Sequence, residues 1–478
     1  MNTKQNSEQN QVKVNMNGHK TNGKNGVSDQ NQQLQQVRGI KNPIFPKTQA
    51  IYSINPQGHT PKKEKLISLG EMFKAYKSLK AYISRTPLTK AAKLSEKYQA
   101  NIYLKREDLQ VVRSFKLRGA FYKFILLTEE QKKKGVVCSS AGNHAQGVAY
   151  ACNFFKVKGT IFMPIDAPDI KVRAVKMFGG QYVDIQQTGD TFDQALAAAR
   201  KFEKENKAIF VHAYDDELVV AGQGTAAIEA LEDFDGKIDY FFVPIGGGGL
   251  SGGMAAYLSQ MSPQTTLIGC EPQGCPSMLR AIYTGEVKPI YGINTFIDGA
   301  AVGTPGQVPH RILSETLKDI VLVPEGVCCT SLMEMYSSEG IVCEPAGALC
   351  VAALEYYKDQ IKGKNIVCMV SGSNNDLTRM TDIKVLSEIE QGIRFYLLVN
   401  FSQKSGSLKE FIRDVLTEDI ELLSIEYTKK YSTSNGQSLI GLQTHNSQEI
   451  EQVTKELTNR GIKYRFVTPG DDLFKFLL

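Results

Sequence analysis

Several things are missing from this chain of 478 residues, and each absence closes off a class of function. No apolar run approaches the ~20 residues needed to cross a bilayer, and the first residues carry no hydrophobic core of the secretory kind, so neither a membrane span nor export is expected. The nine cysteines are scattered and odd in number, without one C-x-x-C pair. That removes the spacing of zinc ligation or dithiol exchange and points to a reducing compartment. Strong charge is missing too. The formal charge is +6, but residues 1–60 hold seven basic side chains against two acidic ones, which leaves the remainder near neutrality. Such a globular part gives no reason to expect nucleic acid or an anionic membrane as a partner.

What is present is enough apolar side chain, 42% of residues, for two or three globular domains. Residues 1–65 are expected to form a disordered polar tail, because their first forty are crowded with Asn and Gln and bury too little to offset ordering entropy. With one Arg and no apolar face, residues 1–40 do not read as an organelle-targeting peptide, so a cytoplasmic protein is expected. From residue 66 the texture changes to short apolar runs such as "GVVCSS", "GTIFMP", "IDYFFVPIGGGG" and "NIVCMVSG", each stopped by small residues and separated by helical patterns. That is the signature of buried parallel strands with helical crossovers, an α/β region over 66–390. Ligands of such sheets bind beyond the carboxyl ends of the strands.

Three loops stand at those ends. Gly246, Gly247, Gly248 and Gly249 follow "FFVPI" and precede a plausible helix start at Leu250, so side-chain-free backbone can turn its N–H groups on one anion such as a phosphate. Neither a Walker lysine nor a dinucleotide fingerprint accompanies them. In "SSAGNHAQGVAY", Ser139, Ser140, Asn143 and His144 offer donors at a helix start, suited to a carboxylate or phenolic oxygen. An N-capping loop without a ligand fits those residues equally well. Ser371 in "VSGSNNDL" could bond a ring nitrogen or simply end a strand. Lys116 in "RSFKLRGA" is the fourth element, either a solvated lysine or a nucleophile.

Together, "SFKLRGA", "SSAGNHAQGVA", "GQGTAAIE", "VPIGGGGLSGG", "EPAGA" and "SGSNNDL" resemble, in order, the pyridoxal-phosphate enzymes of fold type II (tryptophan synthase β-like), and most closely the threonine dehydratases. The resemblance implies Lys116 as the Schiff-base lysine beside Phe115, and Gly246 to Leu250 as the holder of the cofactor phosphate. It implies Asn143 at the ring hydroxyl, Ser371 at the pyridine nitrogen, and Ser139, Ser140, Ala141, Gly142 and His144 as the loop for the substrate carboxylate. Glu344 in "CEPAGA" matches an acidic position near the cofactor, though an acid at a helix start also has an ordinary capping role. Glu229 with Asp233 or Asp235 resembles a cation site of related racemases. Carboxylates on a helix are usually solvated, and no metal is expected. The implied reaction takes L-threonine, with L-serine possible, to 2-oxobutanoate and ammonia, the first step of isoleucine formation. A serine/threonine dehydratase, a serine racemase and an amino-acid sensor on an inactive domain are the alternatives. Where racemases carry a second acid/base serine, this chain has Ala141.

Residues 392–478 change pattern again. "FYLLVNF", a helix with capping-box spacing at Ser407 and Glu410, two strand-like runs, a helix over 447–460 and "KYRFV" give a β-α-β-β-α-β order. Leu408, Phe411, Ile412, Val415 and Leu416 are expected on one buried helix face. The segment resembles a single ACT-like, ferredoxin-like α+β regulatory domain, which implies isoleucine as effector; analogy with fold-type-II relatives implies a homo-dimer or tetramer. Ser402 and Ser405 depart from that domain's usual turn.

Overall fold

The computed structural model describes residues 49–55, 61–62, 64, 66–416, 418–428 and 435–477. Its fifteen strands are β1 Ile51–Ser53, β2 Leu88–Lys90, β3 Asn101–Arg106, β4 Val136–Ser139, β5 Gly159–Met163, β6 Val183–Gln187, β7 Ile209–Phe210, β8 Tyr240–Pro244, β9 Thr266–Pro272, β10 Asp319–Val323, β11 Asn365–Val370, β12 Arg394–Ser402, β13 Glu421–Glu426, β14 Asn435–Gln443 and β15 Tyr464–Val467. They form a seven-stranded sheet in the order β1-β10-β9-β8-β11-β3-β2, a parallel sheet β6-β5-β4-β7 and an antiparallel sheet β13-β14-β12-β15. In the large sheet only the edges β1 and β2 run antiparallel. Its central members β8 and β11 are largely apolar and buried at every residue after the first, as covering helices on both faces demand.

The helix Lys116–Ile125 lies at the centre of this packing, with Leu117, Ala120, Phe121 and Phe124 buried. It approaches the helix Glu217–Asp233 at backbone contact. A Cβ on Gly119 would lie 2.8 Å from the Val219 carbonyl oxygen, and one on Gly222 2.8 Å from that of Arg118. Only glycine permits that separation, which explains the small residues in "GQGTAA".

Two expectations about the ends change. Residues 1–65 are not a tail throughout, because Ile51–Ser53 pair with β10, Ile51 opposite Val321; residues 1–48, 56–60, 63 and 65 of that call lie outside the described residues. In the C-terminal unit the β-α-β-β-α-β order holds, with helices Ser407–Asp414 and Ser447–Asn459. The capping box does not form, since Gly406, at φ 92°, is the N-cap and Ser407 Oγ donates to Lys404 O. Phe411 and Val415 are buried, but Ile412 is exposed. The unit has its own core around Leu397, Val399, Phe401, Phe411, Val453 and Leu457. Tyr396, Leu439, Val467 and Phe474 belong instead to the main core, joining the unit to the larger region. Among the described residues no helix is long and apolar enough to cross a membrane.

Candidate active site

The structure brings the strand-end loops and Lys116 together. Just before the lysine, Arg113 takes a φ of 55°, Ser114 bridges Gly372, and Phe115 N donates to Ser371 O at 3.1 Å. The β11 loop therefore fixes where the helix Lys116–Ile125 begins. From the other side Gly147 packs against it, where a Cβ would stand 3.2 Å from the Lys116 carbonyl. Lys116 Nζ donates to Ala213 O at 3.0 Å and lies 5.0 Å from the Phe115 ring centroid. The side chain keeps some exposed area, yet its ammonium is surrounded by protein. That loss of hydration lowers its pKa to about 8, against a weaker opposing pull from Glu344.

The glycine loop leaves β8 and becomes the N-terminus of the helix Gly249–Met261, whose N-cap Gly248 has φ 91° and supplies no side-chain bond. Its first backbone N–H groups are thus left for a ligand. The loop is wedged between neighbours: a Cβ on Gly246 would sit 3.0 Å from Ala300 Cα, and one on Gly247 would strike the Tyr214 ring. Tyr214 is held by its hydroxyl donating to Thr304 O at 2.9 Å. Leu250 is buried in the helix's first turn. Nothing in the local sequence marks Tyr214, which lies in a loop after the two-residue strand β7.

Beyond β4, Gly142 caps the helix Asn143–Phe155 without a side-chain bond, and its N–H donates to Ser140 Oγ at 3.2 Å. A Cβ on Gly142 would meet nothing within 4 Å, so the loop borders open space at Gly142. Ser139 Oγ is buried without a partner. His144 lies 2.9 Å through Nε2 from Val211 O, so Nε2 carries the proton and Nδ1 is a buried, unpartnered lone pair. Burial first, then the Lys116 charge, holds its pKa down to about 3. With its one N–H on Val211 O, the neutral ring has none to spare for a carboxylate, and a donor from this position would be the backbone N–H.

Asn143 Nδ2 donates to Glu344 Oε1 at 2.7 Å. Glu344 occupies the N-cap position of the helix Pro345–Ala353 but makes no capping bond; its carboxylate faces Asn143 instead. Burial, helped by Asp298, raises its pKa to about 7, with the Asn143 amide opposing. Ser371 is buried, and its Oγ makes one long bond, 3.3 Å to Ala346 O. Glu229 takes no part: Lys105 and Arg118 engage it at 2.7–2.8 Å.

These residues fit a phosphorylated pyridine aldehyde. An uncapped helix start suits its phosphate, a depressed amine its aldehyde, an amide its ring oxygen and a buried hydroxyl its ring nitrogen. Residues 79–372 match the family described as pyridoxal-phosphate dependent enzyme, and residues 385–477 the C-terminal regulatory domain of threonine dehydratase. The chain is 46% identical over 412 residues to L-threonine dehydratase biosynthetic IlvA of Halalkalibacterium halodurans, covering 86% of this chain and 99% of that one. It is 46% identical over 417 residues to the Bacillus subtilis protein of that name, covering 87% and 99%. The solved processed form of threonine deaminase isoform 2 from Solanum lycopersicum is similar at 33% identity and TM-score 0.66, over 73% of this chain and 95% of that one. Fold, site and relatives agree that the chain belongs to the pyridoxal-phosphate dependent enzymes, among the biosynthetic threonine dehydratases with a C-terminal regulatory domain.

Proposed function

We propose that the protein converts L-threonine to 2-oxobutanoate and ammonia as the first step of isoleucine formation, in the cytoplasm, under isoleucine control, as a homo-dimer or tetramer. The observation that carries the chemistry is Lys116: a part-buried amine with pKa about 8, held by one carbonyl and set among the phosphate, amide and hydroxyl loops. Pyridoxal phosphate, when bound, supplies an electron sink for the charge left at Cα once its proton departs.

The chain supplies the rest. Lys116 Nζ, uncharged in a useful fraction near neutrality, takes the Cα proton. Ser139, Ser140 and the backbone N–H groups of residues 141–144 orient the substrate carboxylate. Ser371 offers a hydroxyl where a carboxylate would keep the ring nitrogen charged, which favours early loss of the β-hydroxyl over return of the proton. Ala141 puts no acid on the opposite face, so racemisation lacks a donor. Loss of water gives an enamine of the substrate; its tautomer takes water back and releases ammonia, which balances the reaction.

Steady-state formation of 2-oxobutanoate from L-threonine and L-serine, with and without isoleucine, tests the reading. Threonine turnover is expected from the wild type, together with a yellow protein, and neither from Lys116→Ala. Normal turnover by Lys116→Ala, or rapid appearance of D-allo-threonine from L-threonine or of D-serine from L-serine, overturns it.

A further inference from the structure

One unbroken chain of hydrogen bonds runs from Val112 through Asn374 and Asn143 to Glu344, and its polarity is set at one end. The Val112 carbonyl can only accept. It receives Asn374 Nδ2 at 2.9 Å, and the same nitrogen donates to Asn143 Oδ1 at 2.7 Å. With its oxygen engaged, Asn143 must turn nitrogen toward Glu344, whose Oε1 accepts at 2.7 Å. An amide's orientation is decided by its partners, and here a backbone carbonyl decides two amides in succession. Reversing Asn143 would set its oxygen against a carboxylate oxygen and its nitrogen against the N–H bonds of Asn374. One Asn143 N–H is spent on Glu344; the second is left for whatever the site holds.

We propose that Asn374 is a positioning residue: it transmits the polarity of Val112 O to Asn143 and so keeps the Asn143 N–H bonds on Glu344 and on the cofactor's ring oxygen. This deepens the functional reading above and rests on its placement of Asn143. The four residues come from the loops after β4 and β11, the helix start at Pro345 and the turn leading to Lys116, so the chain ties the ring-oxygen position to the lysine's own anchor.

Asn374→Asp and Asn374→Ala in the purified holoenzyme separate positioning from mere stapling. The aspartate has the same shape but only accepts, so it pulls the Asn143 N–H away from Glu344 and reverses the relay. The alanine removes both bonds without imposing the wrong polarity. Expected for Asn374→Asp are a loss of about tenfold or more in kcat at nearly unchanged KM, of the order of one misdirected hydrogen bond, and a displaced pH titration of the visible cofactor band. Asn374→Ala should lose less. A simple staple predicts the opposite ranking, so an alanine variant as impaired as the aspartate or more so overturns the inference, as do two variants with wild-type kcat and titration. Should Asn374→Asp not fold, the alanine variant decides through the band titration, which must shift if the relay operates. A wild type with no visible band or no threonine turnover overturns the functional reading and this inference with it.

Discussion

Lys105 Nζ donates to Glu229 Oε2 at 2.7 Å with both side chains buried, and the same carboxylate accepts from Arg118, two residues past Lys116. Arg118 in turn donates to Glu107 at 2.6 and 2.8 Å. Two cations thus neutralise two carboxylates beneath the helix that carries Lys116. Burial pushes the Lys105 pKa down, with Glu229 the main opposing influence.

Removing one partner of such a network leaves a buried charge uncompensated. Lys105→Met should therefore destabilise the holoenzyme by about 3–5 kcal/mol, read as a clear drop in Tm. Lys105→Met combined with Glu229→Gln should cost less than the two single changes added together. Additive costs in thermal denaturation would show that the pair is not coupled.

The glycine loop gives a steric prediction. Gly247→Ala places a Cβ in the Tyr214 ring, so either the loop or the tyrosine must move. Cofactor affinity should fall by at least about tenfold, roughly 1.4 kcal/mol, in titrations of apoprotein with pyridoxal phosphate. Tyr214→Ala in the Gly247→Ala background clears the collision and should recover part of that loss. No recovery would mean that Tyr214 is not what confines the loop.

Much of this site was legible because its chemistry is backbone chemistry. Gly246 to Gly249, Ser371 and the loop from Ser139 follow apolar strands directly, the first two on the seven-stranded sheet and the last on the four-stranded parallel one, each loop at the carboxyl end of its strand. Tyr214 and Asn374 were not legible, since each acquires its role only through contacts across long stretches of chain: Tyr214 against Gly247, Asn374 against Asn143 and Val112. Glu344 fitted both an acidic position near the cofactor and a helix cap, and only the fold shows its carboxylate turned to Asn143 with no capping bond. Local spacing also misled at Ser407, where the preceding glycine enters the helix through a left-handed turn and takes the cap position. The strand at Ile51 is three residues long and exists by virtue of β10.

Glu344 predicts a sign for pH dependence. Its folded pKa of about 7 lies above the ordinary carboxylate value of 4.5, so the folded protein holds the extra proton. The stability it contributes is complete below about pH 4.5 and is lost as pH rises through 7. Glu344→Gln keeps an uncharged group there at every pH. The wild type should accordingly lose Tm relative to Glu344→Gln between pH 5 and pH 8. A gain over that interval would place the carboxylate among ordinary, stabilised anions.

The proposed isoleucine control has to cross a describable junction. Arg394 Nε lies 3.0 Å from Glu388 Oε2 as an ion pair lacking hydrogen-bond alignment, and Thr444 N donates to Ile393 O at 2.8 Å. Tyr396 and Phe474 meet edge to face, 5.9 Å between centroids, within the main core. An effector changes activity only by binding one arrangement of this junction more tightly than another. Truncation after Gln391 should leave threonine turnover but abolish the response to isoleucine, and lower Tm because the helix Met380–Glu390 and its neighbours lose these buried partners. Phe474→Ala keeps the unit but opens a cavity at the seam, a change of about 3–5 kcal/mol for a buried phenylalanine. It should weaken the isoleucine response while leaving the uninhibited kcat within about twofold, a difference of under 0.5 kcal/mol. A full-length protein whose threonine rate and affinity ignore saturating isoleucine would remove the regulatory role from this unit and leave the dehydratase chemistry standing.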